Sequence, residues 1–159
     1  MRKLLTITLL CATITLTAEL AHAQDEGFGI GAMINGPTGI SYKAWINEDI
    51  AIGGAVTFNI SENFSSFYTH ADVLMHGTGE NGSFNMESGD LRLYYGGGVR
   101  LTFDDFSDDT DFGIRVPVGT VYQFEDTPAD VFFEFVPTIL FNDFNFGFDG
   151  ALGFRYYLN

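Results

Sequence analysis

The chain has 159 residues, of which seven are Lys or Arg and twenty-one are Asp or Glu. So acidic a chain lacks the clustered cations that neutralise phosphates, which excludes nucleic-acid binding. Its nineteen Gly and seventeen Phe, with a single Trp, are typical of short alternating β-segments rather than of helices.

The N-terminus is predicted to be an export signal that covers residues 1–23. Arg2-Lys3 supplies the positive start, Leu4–Thr17 an apolar stretch, and Ala21-His22-Ala23 a small-x-small cleavage site. An uncleaved membrane anchor is the alternative, but threonines interrupt the stretch and it falls short of the ~20 residues that a spanning helix needs. Cleavage leaves one domain, residues 24–159, with five basic and twenty acidic residues, since two basic and one acidic residue leave with the signal.

The only cysteine, Cys11, lies inside this signal. The mature chain is therefore predicted to have no disulfide, no thiolate metal site and no cysteine nucleophile. No second stretch is long and apolar enough for a spanning helix. If the mature chain crosses a membrane, it does so as a closed β-barrel, because in lipid every backbone polar group has to be satisfied within the structure.

Eight strands are predicted from the alternation of apolar and polar residues. In chain order they are Gly27–Asn35, Ile40–Asn47, Ile50–Ile60, Phe67–His76, Leu91–Phe103, Phe112–Glu125, Val131–Phe141 and Phe144–Leu158. The connectors are rich in turn residues, and the longest, Gly77–Asp90, is predicted to be a loop. Near-even spacing predicts an all-β antiparallel sheet that closes on itself. Pro117 and Pro137 cannot donate to a ladder, so a bulge is predicted at each.

The charges of the mature chain follow this alternation. No formal charge falls on the apolar face of a strand interior, whereas all five cations and three carboxylates fall on polar faces. The alternation predicts one polar network, which also includes a histidine. Its members are Lys43, His70, Asp72, Arg92, Arg100, Arg115, Glu134, Asp149 and Arg155.

A soluble barrel and a membrane barrel share this pattern but turn opposite faces outward. A soluble barrel usually scatters lysines over its outer face, and the mature chain has only Lys43. Three features favour the membrane: phenylalanines gathered at one end of the apolar faces, arginines matched by inward carboxylates, and glycines on the inner face. The phenylalanines are Phe58, Phe67, Phe103, Phe112, Phe141 and Phe144; the glycines are Gly53, Gly96, Gly98, Gly113, Gly119, Gly147 and Gly153.

These features predict an eight-stranded, antiparallel, up-and-down, closed transmembrane β-barrel. Eight strands enclose only enough space for side chains, so the polar network is expected to fill the lumen and leave no large pore. Bidentate pairing of arginine with carboxylate would keep the enclosed charges compensated.

Five runs of the sequence carry a family resemblance: GPTGISYKAW, LYYGGGVRLTF, FGIRVPVGTVYQFED, DVFFEFVP and GFRYYLN. They resemble OmpX- and OmpW-like proteins, small bacterial outer-membrane β-barrels of poorly defined function, over essentially the whole mature chain. The resemblance implies residence in the outer membrane of a Gram-negative-type cell, contact with lipid and lipopolysaccharide, and insertion by the barrel assembly machinery. Members of the family usually end in an aromatic residue that this machinery recognises, whereas this chain ends at Asn159.

We expect a monomer with a structural role or a surface interaction, and no catalytic residue, cofactor or metal. One alternative is a soluble periplasmic or secreted lipocalin-like barrel that binds a small apolar ligand. Another is a barrel enzyme that modifies lipid A, because some barrels similar to this one have that activity. His70 and Asp72 share a face, but no serine is placed to complete a triad with them.

The segment between the fifth and sixth predicted strands is an acidic loop at the external end. Its carboxylates are Asp104, Asp105, Asp108, Asp109 and Asp111. A solvated loop is the default interpretation, and weak contact with Ca²⁺ or Mg²⁺, bridging to lipopolysaccharide phosphates, is the alternative. The spacing lacks the Gly at position six and the Glu at position twelve of an EF-hand loop.

Overall fold

The computed structural model describes residues 27–34, 38–61, 64–104, 110–142 and 144–158, and only the backbone of residues 58–61, 64–66 and 104. The predicted export signal and Asn159 lie outside these residues, so the boundary at residue 23 stays a prediction. Within the described residues there is no helix of the length and apolarity that crossing a membrane requires.

The described residues form ten antiparallel β-strands rather than the eight predicted. They are β1 (Phe28–Ile34), β2 (Gly39–Trp45), β3 (Ile50–Ser61), β4 (Phe64–His76), β5 (Ser83–Met86), β6 (Gly89–Asp104), β7 (Thr110–Arg115), β8 (Val118–Phe124), β9 (Ala129–Leu140) and β10 (Asn145–Leu158). The two additional strands arise because the sixth predicted strand is divided into β7 and β8 and because the Gly77–Asp90 connector contains β5.

Strand pairing follows chain order and returns to its start, because β10 pairs with β1 as well as with β9. Since β7 and β8 occupy one place between β6 and β9, the pairings form a ring of eight strand positions. A path that starts at Phe146 and steps from each residue to the one directly opposite it on the next strand goes once round the ring. It arrives at Tyr156, which is ten residues further along β10. The intermediate residues are Ile139, Ile114, Val99, Ala71, Gly54, Tyr42 and Ile30. Such a displacement means that the strands tilt relative to the ring axis.

The two ends of the ring are distinguished by their connections. At the upper end, β1, β3, β6 and β9 end and β2, β4, β7 and β10 begin. At the lower end lie Phe28 and Leu158, which are paired with each other, and the turns β2–β3, β5–β6 and β8–β9.

The division between β7 and β8 is an interruption of one strand without a change of register. Arg115 is opposite Thr138 and Val118 is opposite Phe135. The two pairs are therefore three residues apart both along β7–β8 and along β9. A bulge would insert an extra residue on one of them. The predicted bulge at Pro117 is therefore wrong.

Both prolines accept hydrogen bonds in the ladder but cannot donate one. The N–H of Val116 donates to the carbonyl oxygen of Pro137 at 2.9 Å, and the N–H of Gly96 donates to that of Pro117 at 2.8 Å. β9 runs through Pro137 with an unbroken register against β10, so the second predicted bulge is also wrong. A proline here removes one ladder bond and leaves the pairing of the strands in place.

The two faces of the ring have opposite character. The outer face exposes large apolar side chains, among them Phe144, Phe146 and Phe148, which are 71%, 64% and 69% exposed. The interior buries charged side chains, among them Lys43, Asp72 and Arg115, together with two small hydrophobic clusters. Those clusters comprise Met33, Ala55, Leu74, Tyr94, Val121, Phe132 and Ala151, and Trp45, Ala51 and Tyr157.

Phenylalanines gather on the outer face at the upper end. The rings of Phe67 and Phe103 are 5.7 Å apart, and those of Phe112 and Phe141 are stacked at 5.5 Å. Phe144 is also exposed there, whereas the side chain of the sixth predicted member, Phe58, lies outside the described atoms.

Candidate functional site

The interior of the ring holds the densest cluster of ionisable side chains in the described part of the chain. Alternate residues of each strand point inward, which brings the nine members of the predicted polar network into one enclosed space. Seven of them are buried: Lys43, His70, Asp72, Arg92, Arg115, Glu134 and Arg155. The other two, Arg100 and Asp149, have side chains that are 17% and 33% exposed.

Arg115 makes the central contacts among the charged side chains in the middle of this interior. Its Nε lies 3.0 Å from Oδ1 of Asp72, and its Nη2 donates to Oε1 of Glu134 at 3.0 Å. Its Nη1 donates to the hydroxyl of Tyr68 at 2.6 Å, while the hydroxyl of Tyr94 donates to Oε2 of Glu134 at 2.9 Å. One guanidinium thus lies within ion-pair distance of two buried carboxylates, which offsets part of the cost of burying them.

His70 and Asp72, which share a face in the sequence, are close in space. Nε2 of His70 lies 3.6 Å from Oδ2 of Asp72, and both side chains are buried. Arg115 engages the same carboxylate. The void beside them has a volume of about 10 Å³, which is room for at most about one water molecule. The pair is therefore enclosed within the ion-pair network and is not open to a substrate.

Asp130 is the centre of the lower interior, and sequence reasoning missed it by assigning it to a turn. It is completely buried in β9. Nε of Arg155 donates to its Oδ1 at 3.0 Å, the hydroxyl of Tyr157 donates to its Oδ2 at 2.6 Å, and Nζ of Lys43 lies 4.0 Å from Oδ2. The signal was available, because Asp130 is four residues before Glu134 and so falls on the same face of the strand.

Trp45 lies in the lower interior, where its ring system is close to two cationic side chains. Nζ of Lys43 lies 3.8 Å from the centroid of its ring system, and the guanidinium carbon of Arg92 lies 5.2 Å from it. The ring of His76 lies 4.4 Å away on centroids. Cations over an indole face are attracted by its quadrupole, which stabilises charges that burial would otherwise disfavour.

The two remaining arginines of the network are held differently from each other. Arg100 donates from Nη1 to Oδ2 of Asp149 at 3.2 Å, in the more open upper interior. Arg92 donates to backbone carbonyl oxygens, from Nε to Gly77 at 2.9 Å and from Nη2 to Glu48 at 2.6 Å. Arg100 thus pairs with a carboxylate through one hydrogen bond rather than the predicted bidentate pair, whereas these contacts of Arg92 are with backbone carbonyl oxygens.

The predicted acidic loop falls largely outside the described residues. Asp105, Asp108 and Asp109 are not described, and only the backbone of Asp104 is. Asp111 lies in β7 rather than in a loop, and its carboxylate accepts a hydrogen bond from Nδ2 of Asn142. The described part of the chain contains no group of three or more His, Cys, Asp or Glu residues that could hold a metal ion. A cation contact of the loop stays a prediction.

An open depression of about 560 Å³ lies at the lower end of the ring. Trp45 and Tyr157 contribute to its lining, and β5 and β6 contribute Asn85, Met86, Gly89 and Asp90. Glu125 and Asp126, from the turn between β8 and β9, complete its acidic rim. Sequence reasoning did not anticipate this depression, because it depends on β5, which was predicted to be part of a loop.

Comparison of the chain with models of known protein families, with curated proteins and with solved structures finds no match. The resemblance to OmpX- and OmpW-like proteins therefore stays a prediction.

Proposed function

We propose that the mature chain is an integral outer-membrane β-barrel protein with a side-chain-filled interior and no large pore. The observation that carries the proposal is the inverted distribution of side chains: charges are buried inside the ring and large apolar side chains are exposed outside it. Soluble monomers rarely expose contiguous apolar patches larger than a few hundred Å², whereas lipid satisfies such a surface.

The strand geometry supports this proposal. With eight strand positions and a displacement of ten residues round the ring, ordinary strand spacings give a tilt of about 40°. That tilt lies within the range of roughly 35–45° that membrane barrels adopt. Closure also pairs the strands on both sides, so no sheet edge needs to face hydrocarbon.

The packing of the interior supports the absence of a large pore. Buried ion pairs centred on Arg115 and Asp130 occupy its middle and lower parts, and the void between them holds at most about one water. A structural role in the outer membrane, or a surface interaction there, fits such a filled barrel better than transport does. Lipid and lipopolysaccharide would then be its surroundings, and we propose that it is a monomer inserted by the barrel assembly machinery.

The soluble lipocalin-like alternative requires an apolar interior that could hold an apolar ligand. This interior instead holds Lys43, Asp72, Arg115, Asp130 and Glu134 in its middle and lower parts, all buried. The enzyme alternative would need a nucleophile and a base accessible to lipid, whereas His70 and Asp72 are enclosed. Both observations favour the membrane barrel.

Heat-modifiable migration tests the proposal. The protein is purified in detergent from a membrane fraction and run on a denaturing gel with and without boiling, with a urea-unfolded sample as the control. We expect a faster band without boiling, because a closed barrel resists the gel detergent, and no protein in the soluble periplasm. Solubility without detergent, together with a single unshifted band, would refute it.

A further inference from the structure

We propose that the free edge of β5 binds an extended, basic segment of a partner protein. The binding surface is defined by described residues at the lower end of the ring. Its location in the periplasm, where a barrel whose N-terminus starts on the periplasmic side would place the lower end, and its position outside the lipid rest on the proposed function. The proposal therefore concerns a partner and a site beyond the barrel architecture itself.

Along one side of β5, the backbone groups have no partner among the described strands. The N–H of Leu93 donates to the carbonyl oxygen of Gly82 at 2.8 Å. In an antiparallel ladder the bonding direction alternates, so Phe84 and Met86 bond toward β6 while Ser83 and Asn85 turn their N–H and C=O groups the other way. On that other side no described strand pairs with β5.

Apart from its length of four residues, this edge lacks the lysine and proline that usually protect an edge against added strands. Ser83–Met86 contains neither lysine nor proline, and Phe84 and Met86 are 52% and 51% exposed. An open edge is not tolerated in hydrocarbon, so β5 and the part of β6 that pairs with it, Gly89–Arg92, have to lie outside the lipid core. Its exposed apolar side chains would then face water, which is the condition that pairing with a partner strand relieves.

The charges around the edge select a basic partner. Asp90, Glu125 and Asp126 line the depression beside Asn85, and Glu87 lies in the turn that follows β5. The five cations outside the predicted signal are all held inside the ring: Lys43, Arg92, Arg100, Arg115 and Arg155. Pairing with a second copy of this edge would bring like charges together, whereas a basic segment is electrostatically complementary to it.

The geometry also specifies the side-chain pattern of the partner. Phe84 is opposite Leu91 on the outer face, and Asn85 is opposite Asp90 on the face of the depression. A strand added to β5 alternates its side chains between the same two faces. The segment would therefore alternate apolar residues, which pack beside Phe84 and Met86, with Lys or Arg, which reach toward the depression.

Fluorescence anisotropy with labelled peptides tests the proposal on the full barrel in lipid nanodiscs, with empty nanodiscs as the blank. The probe is a ten-residue peptide of alternating Val and Lys. The control peptides are the same composition in two blocks, Val₅Lys₅, and an alternating Val and Glu peptide. We expect saturable binding of the alternating basic peptide and at least about tenfold weaker binding of both controls, because only the first matches both the edge and its charge.

Two kinds of variant assign the binding to this site. Asn85→Pro, and independently Ser83→Pro, removes an edge N–H without removing a bond to β6, and we expect at least about tenfold weaker binding. The double variant Glu125→Gln/Asp126→Asn is expected to weaken binding several-fold and reduce its salt dependence, whereas Asp111→Asn, at the upper end, is expected to leave binding unchanged.

The outcomes separate this proposal from the proposed function. Retention of the heat-modifiable shift shows that each variant is folded, so loss of the shift in the unchanged protein counts against the barrel and not against the edge. Equal binding of the blocked peptide, binding unchanged by both proline variants, or no binding would overturn the edge proposal. A dimer that both proline variants abolish would assign the edge to a second copy instead.

Discussion

Burial of charge in this molecule depends on individual partners. Arg115 contacts Asp72, Glu134 and Tyr68 at 2.6–3.0 Å, in a space with almost no room for water. Desolvation of each ion costs several kcal/mol, and only close pairing with further hydrogen bonds offsets it. Removal of one partner should therefore be far more disruptive than removal of the whole charged group.

Arg115→Met is the variant that tests this at the scale of one residue. It leaves Asp72 and Glu134 buried without their guanidinium, so we expect the free energy of unfolding in detergent to fall by about 3–5 kcal/mol. Urea titration followed by the loss of the fast gel band measures it.

Two controls accompany this variant. Arg100→Met removes a partly exposed pair and should cost less than about 1 kcal/mol. Addition of Asp72→Asn and Glu134→Gln to Arg115→Met should recover much of the loss, because no unpaired buried charge then remains. An equal effect of Arg100→Met and Arg115→Met would show that burial of the pair is not what matters.

Close approach between two strands explains Gly98 of β6 but not its neighbour Gly97. A Cβ at Gly98 would meet the carboxylate of Asp72 and the backbone carbonyl oxygen of Ala71, both in β4. A Cβ at Gly97, on the outer face, would meet nothing within 4 Å. Gly147, predicted to make room in the same way as Gly98, likewise has no neighbour within that distance. Neighbouring glycines in one run thus have different reasons to be there.

Gly98→Ala and Gly97→Ala form a matched pair that tests this at the scale of the element. Gly98→Ala forces β4 and β6 apart, and we expect it to lower the free energy of unfolding by about 1–3 kcal/mol. Gly97→Ala should be neutral or stabilising by up to about 1 kcal/mol, because it restricts the unfolded chain without a clash. The same urea titration measures both, and the reverse order of stabilities would contradict the packing described.

The only tryptophan of the chain, Trp45, lies in the interior of the ring. Its fluorescence can therefore report which face of the whole molecule contacts lipid. Trp45 is 7% exposed and lies among Lys43, Arg92 and His76. If the outer face contacts lipid, vesicles of brominated lipid should quench Trp45 fluorescence only slightly. In the variant Trp45→Phe/Phe148→Trp, the tryptophan replaces a side chain that is 69% exposed on the outer face, and strong quenching is expected.

Two other results of the quenching experiment would contradict the expected orientation of the two faces. Strong quenching of Trp45 with none at position 148 would mean that lipid contacts the inner face, which contradicts the proposed barrel. Absence of quenching at both positions would mean that the protein does not insert into the vesicles. Folding of the variant is checked by its heat-modifiable shift.

Much of the fold was readable from the sequence because a strand has a period of two. The alternation in Leu91–Phe103 placed Arg92 and Arg100 on one face, and the same rule located Asp72, Arg115 and Glu134. The structure assembles these residues into one interior. Local patterning determines which residues share a face, since that depends only on the backbone of the strand itself.

The tertiary structure decided what periodicity does not encode. Which carboxylate meets which cation depends on the register between strands distant in sequence, as for Asp130 with Arg155 and Lys43. β5 forms only because β6 offers it a partner, since Gly- and Asn-rich residues around it favour a loop. The unshifted register at Pro117 and Pro137 likewise follows from strands that hold each prolyl segment on both sides. Pairing across the sheet is a property of the closed ring, and no single strand contains it.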